Sequence, residues 1–447
     1  MTSAAEQFAS NITLGSFAKA EELKKRLLFT LGALIVYRLG TFIPLPGIDP
    51  EAFSRGFQSQ QGGLLGTLNI FAGGAVERMA IFALNIMPYI TASIIMQLMS
   101  AMVPTLEALK KEGEQGRRQI NQYTRYLTVF LAAMHGYFIA VTLQGSQGVV
   151  SDPGPYFLGT TVVTLVGGVM FLLWLGEQIT ARGVGNGVSL IIFAGIVAEL
   201  PRVIAGLLDQ GRTGAGVGGG AILVIAVLAL ALVAFVVFIE RSQRRILVQY
   251  PRRQVGQRMT QGEKSHLPLK LNPSGVIPPI LASSFLLLPA TAFNAIGGEG
   301  APGWLQSLNF LFAPGRPFYI TLYALFIIGA TFIYASVVFN VQDVADNLKK
   351  YGGFIQGYRP GPRTAEYLDY VLTRLTVVGA LYLTGVCIFP EILKAGYSQA
   401  IPVYIGGTSL LIVVSVTLDT VSQIQGHLVA QQYESLIKKS KLRGGRR

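Results

Sequence analysis

Charge is scarce in this chain. Only 13% of its 447 residues are Asp, Glu, Lys or Arg, where soluble domains carry about a quarter. With 51% hydrophobic residues and a mean hydropathy of +0.49, that deficit excludes an ordinary soluble protein and points to an integral membrane protein. Cysteine is nearly absent, and Cys387 alone supports no disulfide framework. Histidine is limited to His135, His266 and His427, which make no ligand spacing with Cys387. No metal site is expected. The nearest string to a phosphate-binding loop, GQRMTQGEKS from Gly256 to Ser265, spaces its glycines wrongly and lacks the strand-to-helix context. No nucleophile, base and orienting acid form a local set. Neither enzyme chemistry nor a cofactor is therefore expected. The N-terminal MTSAAEQFASNITLGSFAKAEELKKR has no apolar core directly after a basic start and does not read as a cleaved signal peptide.

What the chain has instead is long apolar runs. The sequence predicts an all-α polytopic membrane protein with ten transmembrane helices, near residues 24–44, 79–102, 122–144, 157–180, 188–208, 219–240, 274–294, 318–340, 367–389 and 403–428. Most Lys and Arg fall on one side of this arrangement. Only Arg55, Arg78, Arg202, Arg212, Arg316 and Lys394 fall on the other, and Arg38 lies within the first span. The positive-inside rule then puts both termini in the cytoplasm. The net charge of +13 first suggests this topology and anionic lipid, and only second a nucleic acid such as ribosomal RNA.

Gly-rich GRTGAGVGGG (Gly211 to Gly220) reads as a flexible connector. Five spans on either side give two pseudo-symmetric inverted halves, because an odd number of spans reverses orientation. The expected organisation is an N-terminal half over 1–210, the connector over 211–220, a C-terminal half over 221–433 and a basic cytoplasmic tail over 434–447. Two long cytoplasmic loops lie near 241–272 and 341–366. In the first, alternating ILVQY followed by Pro251 suggests a hairpin. In the second, Tyr358-Arg359-Pro360-Gly361 suggests a rigid turn. Topology needs only short basic loops, so loops of this length point to docking of a large partner.

One stretch organises the rest: LLGTLNIFAGGAVERMAIFALNIMPYITASIIMQLMSAMVP, Leu64 to Pro104. From Met79 to about Met102 it is apolar enough to cross a bilayer. From Leu64 to Ala72 it spans only about two helical turns. Gly73, Gly74, Glu77 and Arg78 separate the two parts. Lipid rejects irregular backbone unless protein or a water-filled cavity surrounds it, so a short re-entrant helix in a cavity is expected near residues 64–74. Prolines 88, 278, 279 and 289 set the second and seventh spans apart from ordinary lipid-facing helices. Isoleucines recur four apart, at Ile86 and Ile90 and at Ile192 and Ile196, which places each pair on one helix face. Taken alone, that spacing is what lipid contact or helix packing also produces. Among ionisable residues in the spans, Asp419 is the deepest, with Glu177, Glu240 and Arg38 nearer the ends. Asp419 reads as a structural helix-end acid rather than a proton relay.

These strings resemble the SecY family of protein-conducting channels. The match is carried by NIFAGGA with IFALNIMPYITASIIMQL, by RGVGNGVSLIIFAGIVAELP, LPLKLNPSGVIPPILASS, YRPGPRTAEYLDYVLTRLT and GGTSLLIVVSVTLD, and by C-terminal QQYESLIKK. The resemblance implies a central channel subunit in the bacterial inner membrane. Such a channel passes unfolded secretory polypeptides across and releases transmembrane segments sideways into lipid. It implies a pore ring of Ile86, Ile90, Ile192, Ile196, Ile280 and Ile412, and a plug that includes Asn69, Ile70, Phe71, Gly73 and Gly74. It implies a lateral gate with Thr91, Ser284 and Leu288 on its facing surfaces. Arg253, Arg258, Tyr358 and Arg359 would dock the motor ATPase SecA and the ribosome, and Gln257 stands where some relatives carry arginine. Implied partners are SecE, SecG, the translocating polypeptide and membrane lipids. Two alternatives stand beside this reading: a secondary transporter of a small solute, and a scaffold without a pore. Few buried charges, long basic loops and the hinged short segment weigh against the transporter.

Overall fold

Apolar runs bounded by glycine, proline and polar residues become helices along nearly the whole chain. The computed structural model describes residues 21–59, 64–145, 148–213, 219–250, 254–255, 258–259, 264–296, 302–313, 315–396 and 406–444. In order, the helices are α1 (Glu21–Gly40), α2 (Pro50–Ser59), α3 (Leu64–Ala72), α4 (Met87–Met102), α5 (Pro104–Lys111), α6 (Glu114–Gly145), α7 (Pro155–Arg182), α8 (Gly187–Thr213) and α9 (Gly219–Arg241). Strands β1 (Gln243–Gln249), β2 (Gln254–Val255), β3 (Arg258–Met259) and β4 (Lys264–Lys270) follow. Then come α10 (Ile277–Ile296), α11 (Gly303–Leu311), α12 (Pro317–Val338), α13 (Val341–Lys350), β5 (Phe354–Ile355), α14 (Pro362–Gly396) and α15 (Gly407–Gly444).

A helix occupies at least part of each expected span. Among the described residues, six helical stretches are long and apolar enough to cross a bilayer: α6, α7, α8 to Gly206, α12 continued to Lys350, α14 to Ile392 and α15 to Ala430. A seventh arises if α4 and α5, bent by 98° at Val103, form one broken span. Of the expected connector, Gly211 to Thr213 continue α8 and Gly219 and Gly220 open α9, while residues 214–218 lie outside the described residues.

Contacts divide the chain into two units. One comprises Met1–Tyr89, Val129–Ala205 and Ile412–Arg447, and the other Ile90–Thr128 and Gly206–Leu411. In the first, α1 packs on α7. The turn after α7 is clasped from both ends of the sequence. The Val184 amide donates to Thr30 Oγ1 at 3.1 Å and the Gly185 amide to Gln423 Oε1 at 3.1 Å. Leu23, Val184 and Leu428 close a small apolar cluster over it.

In the second unit, α10, α12 and α14 pack together. The expected hairpin is present: β1 pairs antiparallel with β4, Gln243 opposite Lys270 through Gln249 opposite Lys264. The second long loop joins it, because β5 pairs with the other edge of β1, Val248 opposite Ile355. Sheet order is β4-β1-β5, so Pro268 sits on an edge strand, where its missing N–H is tolerated. Alternation along β1 buries Ile246 and Val248, which pack with Leu269 and Ile355 on Leu368, Val371 and Leu375 of α14. The basic side chains of Arg244, Arg245 and Lys264 face outward.

One expectation is corrected. The sequence predicts a second span helical from Met79, but residues 73–86 form turns interrupted by a β-bridge between Ala80 and Pro44, and α4 begins only at Met87. Met79 (φ 44°) and Asn85 (φ 49°) adopt left-handed backbone that interrupts an α-helix. The segment finds other partners instead. Met79 O accepts from the Leu45 amide at 2.9 Å, and the Ile81 amide donates to Ile43 O at 3.0 Å. Phe82 stacks between Tyr37 and Phe171 at centroid distances of 6.3 and 5.8 Å. As a result Ile86 lies in the turns and Ile90 in α4, so this pair does not share a helix face through four-residue spacing. Ile192 and Ile196 do lie together in α8.

Candidate functional site: a short helix seated against α8

The apolar helix α3 is nine residues long and ends at a double glycine. Gly73 (φ 63°) and Gly74 (φ 81°) supply left-handed backbone at low steric cost and turn the chain sharply. Asn69, Ile70, Phe71 and Ala72 are all at most 5% exposed. They are held by backbone carbonyls as much as by side chains. Tyr37 Oη donates to Ala72 O at 3.4 Å, Arg38 Nη1 donates to Gly73 O at 2.5 Å, and Asn85 Nδ2 donates to Phe71 O. Asn69 Oδ1 accepts from the Glu77 amide at 2.9 Å. These bonds occupy the carbonyls that the helix end leaves free.

The seat is α8. Gly195 has no side chain where the α3 terminus arrives: a Cβ there would stand 2.6 Å from Phe71 O and 2.9 Å from Tyr37 Oη. One turn further along α8, Glu199 is 3% exposed and its Oε2 has no partner among the described atoms. Arg202 forms a two-bond pair with Glu77, at 2.5 and 2.7 Å. Arg78 lies over the Phe42 ring at 4.2 Å, with Nη1 buried and unpartnered. Three arginines and two carboxylates thus surround the exit of α3.

The six expected ring isoleucines are found as follows. Ile86, Ile192, Ile196 and Ile412 belong to the first unit and are at most 4% exposed. Ile280 (7% exposed) and half-buried Ile90 belong to the second. Of the gate residues, Thr91 on α4 and Ser284 on α10 are buried in the second unit. The side chain of Leu288 lies outside the described residues. The two helices are in contact through Ile94 and Leu281, with Ala330 of α12 behind them and Ile90, Leu98 and Ile277 around them. Of the docking residues, Arg253 and Gln257 lie outside the described residues, and Arg258 is described only as part of β3. Tyr358 stacks on Tyr367 at 4.2 Å, and exposed Arg359 follows it in a turn whose carbonyl is held by Thr364 Oγ1 at 2.9 Å.

A family model described as SecY matches residues 80–421. The chain belongs to the SecY family. Its similarity to curated members covers most of the chain. It is 52% identical to the protein translocase subunit SecY of Escherichia coli K12 over 426 residues, 95% of this chain and 96% of that one. It is 53% identical to the same subunit of Pseudomonas aeruginosa over 425 residues, 95% of each. Solved SecY-type channels share the fold. One described as a protein conducting channel gives a TM-score of 0.64 at 17% identity, covering 90% of this chain and 92% of that one. Another, Sec61 in a canine ribosome–channel complex from the endoplasmic reticulum, gives 0.61 at 17% identity, covering 90% and 92%.

Some of this SecY-family site was not anticipated from sequence. Glu77, Arg78 and Arg38 stand out in the sequence, and Arg202 does so only as a basic residue on the minority side; neither its pairing with Glu77 nor the roles of Glu199 and Gly195 are legible there. A signal existed: Glu199 and Arg202 stand three apart near the end of an apolar run, and charge in such a run marks function. Asp419, the expected deep acid, is exposed on α15 and does not end a helix, since α15 continues to Gly444.

Proposed function

We propose that this chain is the channel-forming subunit of a bacterial inner-membrane protein translocase, with α3 as the stopper of its pore. The observation that carries the reading is a short apolar helix, hinged at Gly73-Gly74, whose terminal carbonyls are held by Tyr37 and Arg38 of α1 and by Asn85, with its end resting on Gly195 of α8. Unfolded secretory polypeptide passes through, and transmembrane segments leave between α4 and α10. The isoleucines Ile86, Ile90, Ile192, Ile196, Ile280 and Ile412 form the constriction. Their stiff apolar side chains exclude water and ions by dewetting and offer no hydrogen bond that would stall a sliding peptide. Apolar segments leave sideways because lipid solvates them better than an aqueous vestibule does. Thr91, Ser284 and Leu288 line that exit.

Ten spans in two inverted halves, with both termini cytoplasmic, fit the helix positions and the distribution of Lys and Arg. The three-stranded sheet and the Tyr358-Arg359 turn, with Arg253 and Arg258 in the first loop, form a basic platform for SecA and the ribosome. SecE and SecG complete the complex, and the motor or ribosome supplies the energy, so no catalytic step is assigned to this chain. No observation favours a solute transporter.

The test tethers the stopper. With Cys387 replaced, a cysteine at Phe71 is joined by a reducible crosslinker to one on α8 at a position other than Gly195, and SecA-driven export of a preprotein into reconstituted vesicles is measured. Export should stop under the crosslink and resume on reduction. Unchanged export would refute a displaceable stopper.

A further inference from the structure

The stopper reading accounts for the apolar body of α3 but not for the charges behind it. Glu77 lies five residues after Ala72, on the segment that must move if α3 leaves its seat. Its side chain is 8% exposed, and both of its oxygens are taken by Arg202 of α8. Its backbone amide is taken by Asn69 of α3 itself. Glu77 therefore ties α3, the hinge and α8 together. Glu199 stands one turn before Arg202 on α8. A Cβ on Gly74 would overlap its carboxylate and would sit 3.5 Å from Arg78 Nη1. The carboxylate of Glu199 and the guanidinium of Arg78 thus face each other across Gly74, each with a buried polar atom unpartnered. An apolar stopper needs none of this. A two-bond arginine–carboxylate pair is directional and costly to break when one partner is buried.

Resting on the stopper reading, we propose that Glu77 and Arg202 form an ion-pair latch that holds α3 in its seat, with Glu199 as a second acidic anchor opposite Arg78. The latch sets how often the resting channel opens. It acts by position, through its hold on the segment that follows α3. Arg202 is half exposed, so salt screens the latch in part, and resting leak should rise with ionic strength beyond the rise in conductivity. The unpaired oxygen of Glu199 lies one turn from Arg202, on neighbouring positions of one helix, so a released Arg202 has an acceptor within reach.

The test measures resting ion leak of the full chain in planar bilayers with SecE and SecG, alongside preprotein export. Four variants are compared with the parent: Glu77→Gln, Arg202→Gln, the exchange Glu77→Arg with Arg202→Glu, and a deletion of residues 64–72. Each single variant should raise resting leak about tenfold while export persists. The exchange should restore tight closure, a rescue that a merely structural role would not give. Single variants that seal as the parent does, while the deletion leaks, would overturn the latch and leave the stopper intact. An exchange that leaks as much as either single variant would also overturn it. A deletion that does not leak would overturn the stopper reading itself.

Discussion

Replacing Gly195 with alanine tests the seat directly. The added Cβ would stand 2.6 Å from Phe71 O, 2.9 Å from Tyr37 Oη and 3.4 Å from Gly73 N. Ordinary contact requires roughly 3.4 Å or more, so the α3 terminus must retreat by about 0.8 Å. That retreat strains the bonds from Tyr37 and Asn85 to the last carbonyls of α3. Overpacking of this kind costs about 1–3 kcal/mol. The gain in helix propensity from Gly to Ala, about 1 kcal/mol, belongs to α8 whether α3 is seated or not, so it cancels from the closure equilibrium. The open fraction should therefore rise roughly 5- to 140-fold, at 1.4 kcal/mol per factor of ten. Resting conductance in planar bilayers reads this directly. Gly206→Ala is the control on the same helix, because a Cβ there meets nothing within 4 Å. If Gly195→Ala seals as tightly as Gly206→Ala, the α3 terminus does not rest on Gly195.

Two further outcomes follow from other parts of the chain. Ile94, 3% exposed, joins α4 to Leu281 of α10, and Ile94→Ala should loosen that contact by about 1–2 kcal/mol. This is less than the ~2–5 kcal/mol of a water-soluble core, because lipid tails solvate isoleucine about as well as protein does. Segments of graded hydropathy should then enter the membrane at a lower threshold, and an unchanged threshold would count against α4–α10 as the exit. Arg359 is exposed on its turn, so Arg359→Glu should change stability by less than about 0.5 kcal/mol while lowering SecA-driven export at least tenfold. Full export with intact thermal stability would remove Arg359 from the docking platform.

The helices that occupy the expected spans were legible because each rests on a local signal, an apolar run with a glycine, proline or charge at its end; the short α2, α5, α11 and α13, which carry no such run, were not. The hairpin of β1 and β4 was legible for the same reason: alternation in ILVQY marks one buried face, and Ile246 and Val248 occupy it. The pairing of β5 with β1 was not, since Phe354 and Ile355 are too short a run to declare a strand, and their partner lies about a hundred residues away. The eight residues from Met79 to Ile86 misled for the opposite reason. They are apolar enough for a helix, but Phe82 stacked between Tyr37 and Phe171, together with left-handed Met79 and Asn85, favours turns.

The stretch from Leu64 to Gly74 shows where the division lies. Its length excluded a span, its apolarity excluded a solvent loop, and its two glycines fixed where it turns. Those properties belong to a few adjacent residues, and sequence alone determined them. What α3 rests on was decided by tertiary structure. Gly195, Glu199 and Arg202 are more than a hundred residues away, and their relation to Phe71, Gly74 and Glu77 is one of distance and direction. A glycine that leaves room for a carbonyl, or an arginine that reaches a carboxylate, carries no local pattern. It acquires meaning only when the fold brings the two segments together.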